Sequence, residues 1–134
     1  MEKSKFNFFI GLYLSFLIFF SFVHAKQEEC QGAKLRIINK ITAEKTFYDV
    51  PLSQTLKLDN AKIKIFRCLK IEKDGKDDEI ALISHKLNYT KEDKTFLGWI
   101  FKSSQYISSP INATFDIKLE KCLVNDPIFL KKVI

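Results

Sequence analysis

An all-β fold, a small antiparallel sandwich or barrel of about seven strands behind an N-terminal signal helix, is predicted by three observations. Past residue 25, apolar and polar residues alternate in short runs. Asp, Asn, Gly and Pro punctuate those runs at close spacing. No apolar repeat of helical period occurs outside the first 25 residues. Alternation puts every second side chain on one face, which is what a half-buried sheet requires.

The N-terminal segment reads as targeting. Lys3 and Lys5 give a positive start, and Phe6 to Val23 is almost continuously apolar, broken by Asn7, Gly11, Ser15 and Ser21. Val23-His24-Ala25 offers small or modest residues where a signal peptidase reads, and Lys26-Gln27-Glu28-Glu29 follows, so cleavage is expected between Ala25 and Lys26. An uncleaved anchor is the rival reading, because the apolar run approaches the length that spans a bilayer. Cys30 is not expected to carry lipid, since Gln27-Glu28-Glu29 stands where a lipoprotein signal has Leu and small residues. The resulting division is 1–25 signal peptide, 26–32 polar leader, 33–122 β domain and 123–134 C-terminal tail.

Within the domain, Leu35 to Ile38 and Thr46 to Val50 read as strands joined by a turn at Thr42 to Lys45, with Pro51 ending the second. Thr55 to Leu58 and Ala61 to Cys68 alternate on either side of Asp59-Asn60, the clearest hairpin in the chain; Ala61, Ile63 and Ile65 share one face, Lys62 and Lys64 the other. Glu72 to Asp78 reads as a charged loop with Gly75 at its turn. Ile80 to Ile83 follows as a buried strand, Asn88 to Lys94 as a loop, and Thr95 to Phe101 as an aromatic strand. Ser103 to Pro110 turns the chain into Thr114 to Glu120, with Phe115, Ile117 and Leu119 inward; the tail ends in an apolar-basic stretch suited to a short edge strand.

The whole chain of 134 residues carries 22 Lys and Arg against 16 Asp and Glu, a formal charge of +6 that falls to +5 once Lys3, Lys5 and Glu2 are removed. The charges are interspersed, so the surface reads as solubilising, and nucleic acid is not an expected partner. The three cysteines, Cys30, Cys68 and Cys122, all lie past the signal, in a compartment where disulfides persist. Cys68 and Cys122 each end a strand while Cys30 sits in the leader, which favours a Cys68–Cys122 bond with Cys30 unpaired, oxidised or bonded to another molecule. Closing that loop is worth about 4 kcal/mol in lost unfolded-state entropy. Two separate buried thiols remain open as the alternative on these grounds.

Catalytic chemistry finds little to use. His85 is the one histidine left after cleavage; beside Lys86 at a strand end it reads as a surface or edge residue. No phosphate-binding loop, HExxH or nucleophile elbow occurs, no metal or cofactor is expected, and Asp77-Asp78 and Glu92-Asp93 read as solvated loop charges. Asn88-Tyr89-Thr90 and Asn112-Ala113-Thr114 are glycosylation-type triplets that arise by chance in an Asn-rich chain. Trp99, Phe101 and Tyr106 could present an aromatic surface to a sugar, but core packing is the favoured reading for Trp99 and Phe101.

Gly98-Trp99-Ile100-Phe101-Lys102-Ser103-Ser104, followed at unbroken spacing by Phe115-Asp116-Ile117-Lys118-Leu119-Glu120-Lys121-Cys122, resembles the hallmark of the family known as domain of unknown function 2155. Ala33 to Thr42 is similar to the family's opening, and Leu58 to Cys68 to its central strand ending in cysteine. The resemblance implies a secreted or periplasmic protein of alphaproteobacterial type, with Cys68 and Cys122 as the family's two cysteines. It implies no known activity. Gln105 replaces a proline of the pattern, Asn112 and Ala113 a His-Pro pair, and Lys118 a tryptophan, so a function resting on those residues is not carried over. The expectation is an exported cell-envelope protein, a non-catalytic binding or structural module for an envelope protein or polymer, touching membrane through its signal segment alone. A hydrolase acting on an envelope polymer and an inner-membrane-anchored periplasmic domain are the alternatives.

Overall fold

The structure, a computed structural model, describes residues 2–20, 26–88, 95–104 and 107–133. The cleavage residue Ala25, the loop 89–94, Gln105 and Tyr106 lie outside the described residues. Helix α1 (Glu2–Phe20) holds most of the apolar N-terminal run, and its side chains from Asn7 to Phe16 are exposed. Among the described residues no helix is long and apolar enough to cross a membrane.

Nine strands follow among the described residues: β1 (Lys26–Cys30), β2 (Gly32–Asn39), β3 (Lys45–Pro51), β4 (Thr55–Lys57), β5 (Ala61–Lys73), β6 (Lys76–Leu87), β7 (Phe96–Phe101), β8 (Phe115–Leu123) and β9 (Lys131–Val133). They form two antiparallel sheets. One runs β1-β5-β6-β7 with β4 also on β5; the other runs β8-β2-β3-β9. Neither closes on itself, so of the two architectures the sequence allowed, the fold is the sandwich. Since β6 takes one edge of β5 along its whole length, β4 and β1 share the other edge, β4 opposite Lys62–Lys64 and β1 opposite Cys68–Glu72. Phe66 lies between them, at a bulge that shifts the register.

Two expectations change here. The charged loop over Glu72 to Asp78 is instead the tip of a long hairpin, in which Lys73 pairs with Lys76 around a two-residue turn. Asp74 and Gly75 take φ of 55° and 75°, the paired left-handed geometry of a type I′ turn, for which Asp-Gly is a preferred sequence. The polar leader is strand β1. Its residues Lys26 to Glu29 are exposed, so no alternation marks it, and backbone pairing with β5 alone defines it.

The core fills the space between the sheets. Leu35, Ile37, Val50, Ile117 and Leu119 from one sheet meet Leu56, Ile63, Ile65, Ile83 and Ile100 from the other. Each such side chain is worth about 1.5–3 kcal/mol on full burial. The inward set Ala61, Ile63, Ile65 and the set Ile117, Leu119 are those the alternation marked, with Phe115 partly buried against them. On β7 the inward residue is Ile100, which turns Trp99 and Phe101 to the outer face, half-buried; they are not core residues. A near-continuous apolar run leaves a strand's inward face undetermined from sequence.

Cys68 and Cys122 are bonded, 54 positions apart with Cα atoms separated by 5.6 Å, and they staple the middle of β5 to the edge strand β8 across the core. Cys30 is free and buried, directly opposite Cys68 in the β1–β5 pairing. Of the three fates the sequence left open for Cys30, the structure shows the free thiol. Burial pushes the Cys30 thiol above its usual range, with Lys70 opposing the shift.

Candidate functional site

The β5–β6 hairpin outruns the opposing sheet. Beyond the disulfide its inner face is uncovered, and an open cleft of about 710 Å³ forms there between β1, β5, β6 and the residues after β7. Lys26, Glu28, Lys70, Asp78, Glu79, Lys102 and Ser103 line it. Alternation places Glu79 two residues from inward Ala81, so it points under the overhang toward β8. Its side chain is 14% exposed.

Two adjacent carboxylates organise this wall. Glu79 Oε1 accepts from the Cys122 backbone N–H at 3.1 Å, and Oε2 accepts from Lys102 Nζ at 2.9 Å. One side chain thus ties β6 to β8 beside the disulfide and to the end of β7. The hydrogen bond to Glu79, with the added pull of nearby carboxylates, raises the Lys102 ammonium above its ordinary value against a small opposing effect of burial. Asp78 Oδ1 accepts from the backbone N–H groups of Glu79 (2.8 Å) and Ser103 (3.1 Å), while Oδ2 accepts from Ser103 Oγ at 2.6 Å. The hydroxyl and amide of one serine therefore clasp one aspartate. Charge-assisted bonds of this kind are the stronger class.

Of the hallmark residues, Lys102 and Ser103 line the cleft, and the backbone of Cys122 is bonded to Glu79 in its wall. Gly98 sits mid-strand on β7, where an added Cβ would come within 3.0 Å of the Phe96 ring, so the glycine leaves room for that ring on the inner face. Ser104 follows Ser103 and its carbonyl accepts from Ile107 N–H. Phe115 and Asp116 lie at the far end of the molecule, Phe115 against a smaller hollow of about 200 Å³ and Asp116 3.6 Å from Lys118. The hallmark is thus not one site. Asp78 is a bonded strand residue and not the solvated loop charge expected, and Glu79 is a residue the sequence analysis does not single out; the readable signal is the alternation running back from Ile83 and Ala81 through Glu79.

At the same far end is a second polar cluster, this one buried. Asn112, 1% exposed, donates through Nδ2 to Asn60 Oδ1 (3.0 Å) and to His85 Nε2 (3.1 Å). Its Oδ1 accepts from Asn60 Nδ2 and from the N–H groups of Thr114 and Phe115. Lys40 Nζ reaches its carbonyl at 2.8 Å. His85 is therefore an interior residue, 2% exposed, and not the surface or edge residue expected. Burial lowers its pKa, which keeps the imidazole neutral with Nε2 as acceptor. The Asn112 amide is enclosed and fully used, so this triplet offers no acceptor for a glycan in the folded protein.

Residues 33–122 match the family described as an uncharacterized protein conserved in bacteria, DUF2155. The chain belongs to this family. Neither a curated protein nor a solved structure matches it. The DUF2155 region begins one residue into β2 and ends at the second half-cystine, so Ser103 and Cys122 fall within it, whereas the whole of β1, Cys30 included, precedes it. Among the described residues no group of three or more His, Cys, Asp or Glu side chains is arranged to hold a metal ion.

Proposed function

We infer that this DUF2155 protein is exported to the cell envelope, released between Ala25 and Lys26 into the periplasm or beyond, and that its β domain is a non-catalytic binding module using the cleft past the disulfide. One observation carries the reading. The hallmark residues at the cleft are occupied in holding its shape, Ser103 by Asp78, and Lys102 and the Cys122 amide by Glu79. The cleft holds no imidazole, the group most often used as a general base, because the sole domain histidine is committed to Asn112 at the opposite end. Export is supported by the apolar N-terminal run and by a disulfide, which persists in oxidising compartments.

The cleft suits an extended chain. β1 pairs with β5 on one edge, and its other edge has no partner strand among the described residues. An extended segment of an envelope protein can add there through backbone hydrogen bonds, with the mixed charges of Lys26, Glu28 and Lys70 reading its side chains. A photocrosslinking residue at Glu72, in the cleft, is expected to give an envelope adduct in living cells. The same residue at exposed Ser53 is expected to give none. Equal yield at both positions would defeat the binding role. Mass spectrometry of the mature protein is expected to find Lys26 first; a retained Met1 would replace release by anchoring.

A further inference from the structure

The outer face of the sheet containing β4 to β7 carries a row of lysines unconnected with the cleft. Lys57 lies directly opposite Lys62 across β4 and β5, and Lys62 directly opposite Lys86 across β5 and β6. Their chain neighbours Leu56, Ile63 and His85 are buried, so alternation turns all three lysines outward, where they are exposed. Lys64 extends the patch along β5. Like charges directly opposite on a sheet repel. No carboxylate pairs with any of these four among the described residues.

The same face is apolar beside the lysines. Phe66, raised on the bulge, is 42% exposed and Leu97 66%, while Trp99 stands half-buried opposite Leu82. Lys64 Nζ lies 5.3 Å from the Phe66 ring centroid. Lys62, Lys64, Lys86, Phe66, Leu97 and Trp99 project from a sheet surface and line neither the cleft nor the smaller hollow, whose rim Lys57 borders at the end of the row. A single-stranded nucleic acid needs ring faces on which successive bases stack, and aliphatic Leu97 interrupts the aromatics of this face. A fluid headgroup layer needs no such stack, and it takes up protruding aromatic and aliphatic groups while its phosphates meet lysine ammonium groups.

We propose that this face docks the domain on an anionic phospholipid bilayer, Phe66, Leu97 and Trp99 entering the headgroup region and Lys57, Lys62, Lys64 and Lys86 meeting lipid phosphate. Membrane contact then belongs to the folded domain and not to the signal segment alone. The experiment uses the single tryptophan of the chain, Trp99, as its own reporter. The full-length protein is mixed with phosphatidylcholine vesicles with and without phosphatidylglycerol. A blue shift of Trp99 emission, quenchable by brominated lipid and reversed by about 0.5 M salt, is expected with the anionic vesicles alone. Helix α1 has no tryptophan, so its insertion into either vesicle does not by itself produce the shift.

Each basic side chain near an anionic surface is worth roughly a factor of five, so Lys62→Glu with Lys86→Glu is expected to weaken partitioning by at least about tenfold. Lys45→Glu with Lys131→Glu, an equal charge change on the other sheet, is expected to leave it intact. All four sites are exposed, and unchanged far-ultraviolet dichroism verifies folding. The proposal is overturned by an unshifted Trp99 with anionic vesicles, by the same shift with phosphatidylcholine alone, by an equal shift with soluble polyphosphate or single-stranded nucleic acid, or by undiminished binding of the Lys62/Lys86 variant.

Discussion

At the cleft end the two sheets are joined covalently by Cys68–Cys122 and, beside it, by Glu79 bonded to the Cys122 amide. At the opposite end they are joined by a cluster of neutral side chains and one ammonium: Asn112, ahead of β8, reaches Asn60 before β5 and His85 on β6, while Lys40 after β2 reaches the Asn112 carbonyl. The first tie acts largely on the unfolded chain by shortening its loops. The second acts only in the folded state and depends on every partner being satisfied. An edge strand such as β8, paired among the described residues to β2 alone, needs holding at both ends, and the overhang that opens the cleft removes apolar cover where the covalent tie stands.

The largest expected effect breaks the cleft-end tie. Replacing both Cys68 and Cys122 by Ala, or adding reductant, should cost about 4 kcal/mol in denaturant unfolding. Labelling of denatured, unreduced protein should find Cys30 as the only reactive thiol. A midpoint indifferent to reductant would mean that the disulfide adds nothing to the packing around it. At the other end, Asn112→Ala strands the N–H groups of Thr114 and Phe115 and the side chains of Asn60 and His85. A loss of about 1–3 kcal/mol is expected, the penalty of buried unsatisfied groups.

The two ends also differ in their response to pH. His85 has its pKa lowered in the fold, chiefly by burial, and the cationic group nearest its partner is Lys40 at the Asn112 carbonyl. The unfolded chain takes up the histidine proton as pH falls below about 6.5, and the folded chain resists until lower pH. Stability from this group is therefore full above that value and drains away as pH falls toward the folded pKa. Unfolding free energies measured between neutral and mildly acidic pH should slope less steeply in His85→Gln than in the parent. Cys30 acts with the opposite sign: its raised pKa favours the thiol, so its contribution is full below the unfolded value and declines as pH rises through the folded one.

The sequence shows most clearly what periodicity controls. Ile63 and Ile65, Ile117 and Leu119 are recognisable as core because polar residues separate them, and Asp74-Gly75 declares a turn. β1 is illegible for the converse reason: an edge strand on an overhang has no inner sheet to face, so Lys26 to Glu29 needs no apolar residue until Cys30. On β7, Phe96-Leu97-Gly98-Trp99-Ile100-Phe101 is apolar at nearly every position, and the choice of inward face falls to Ile100 through packing against distant strands. Asp78 and Glu79 resemble solvated charge because their partners, Ser103 and Cys122, lie 25 and 43 positions away. His85 is disguised likewise, its burial depending on Asn112, 27 positions on.

The smallest expected effect separates the two functions of Glu79. Glu79→Gln keeps an oxygen able to accept from the Cys122 amide but gives up the charge that holds Lys102. Because the Lys102 side chain is about half exposed, at 49%, that ion pair is screened and worth under about 1 kcal/mol. Glu79→Ala removes the acceptor as well and leaves a part-buried amide unpaired, which should cost a further kcal/mol or so, about 1 to 2 in all. Measured in the reduced and oxidised proteins, the two substitutions form a cycle. If the Cys122 amide bond helps position β8 for the disulfide, Glu79→Ala loses more stability when the disulfide is intact than when it is reduced, while Glu79→Gln loses the same in both. Equal losses for Glu79→Ala in both redox states would show that the carboxylate and the disulfide hold β8 independently.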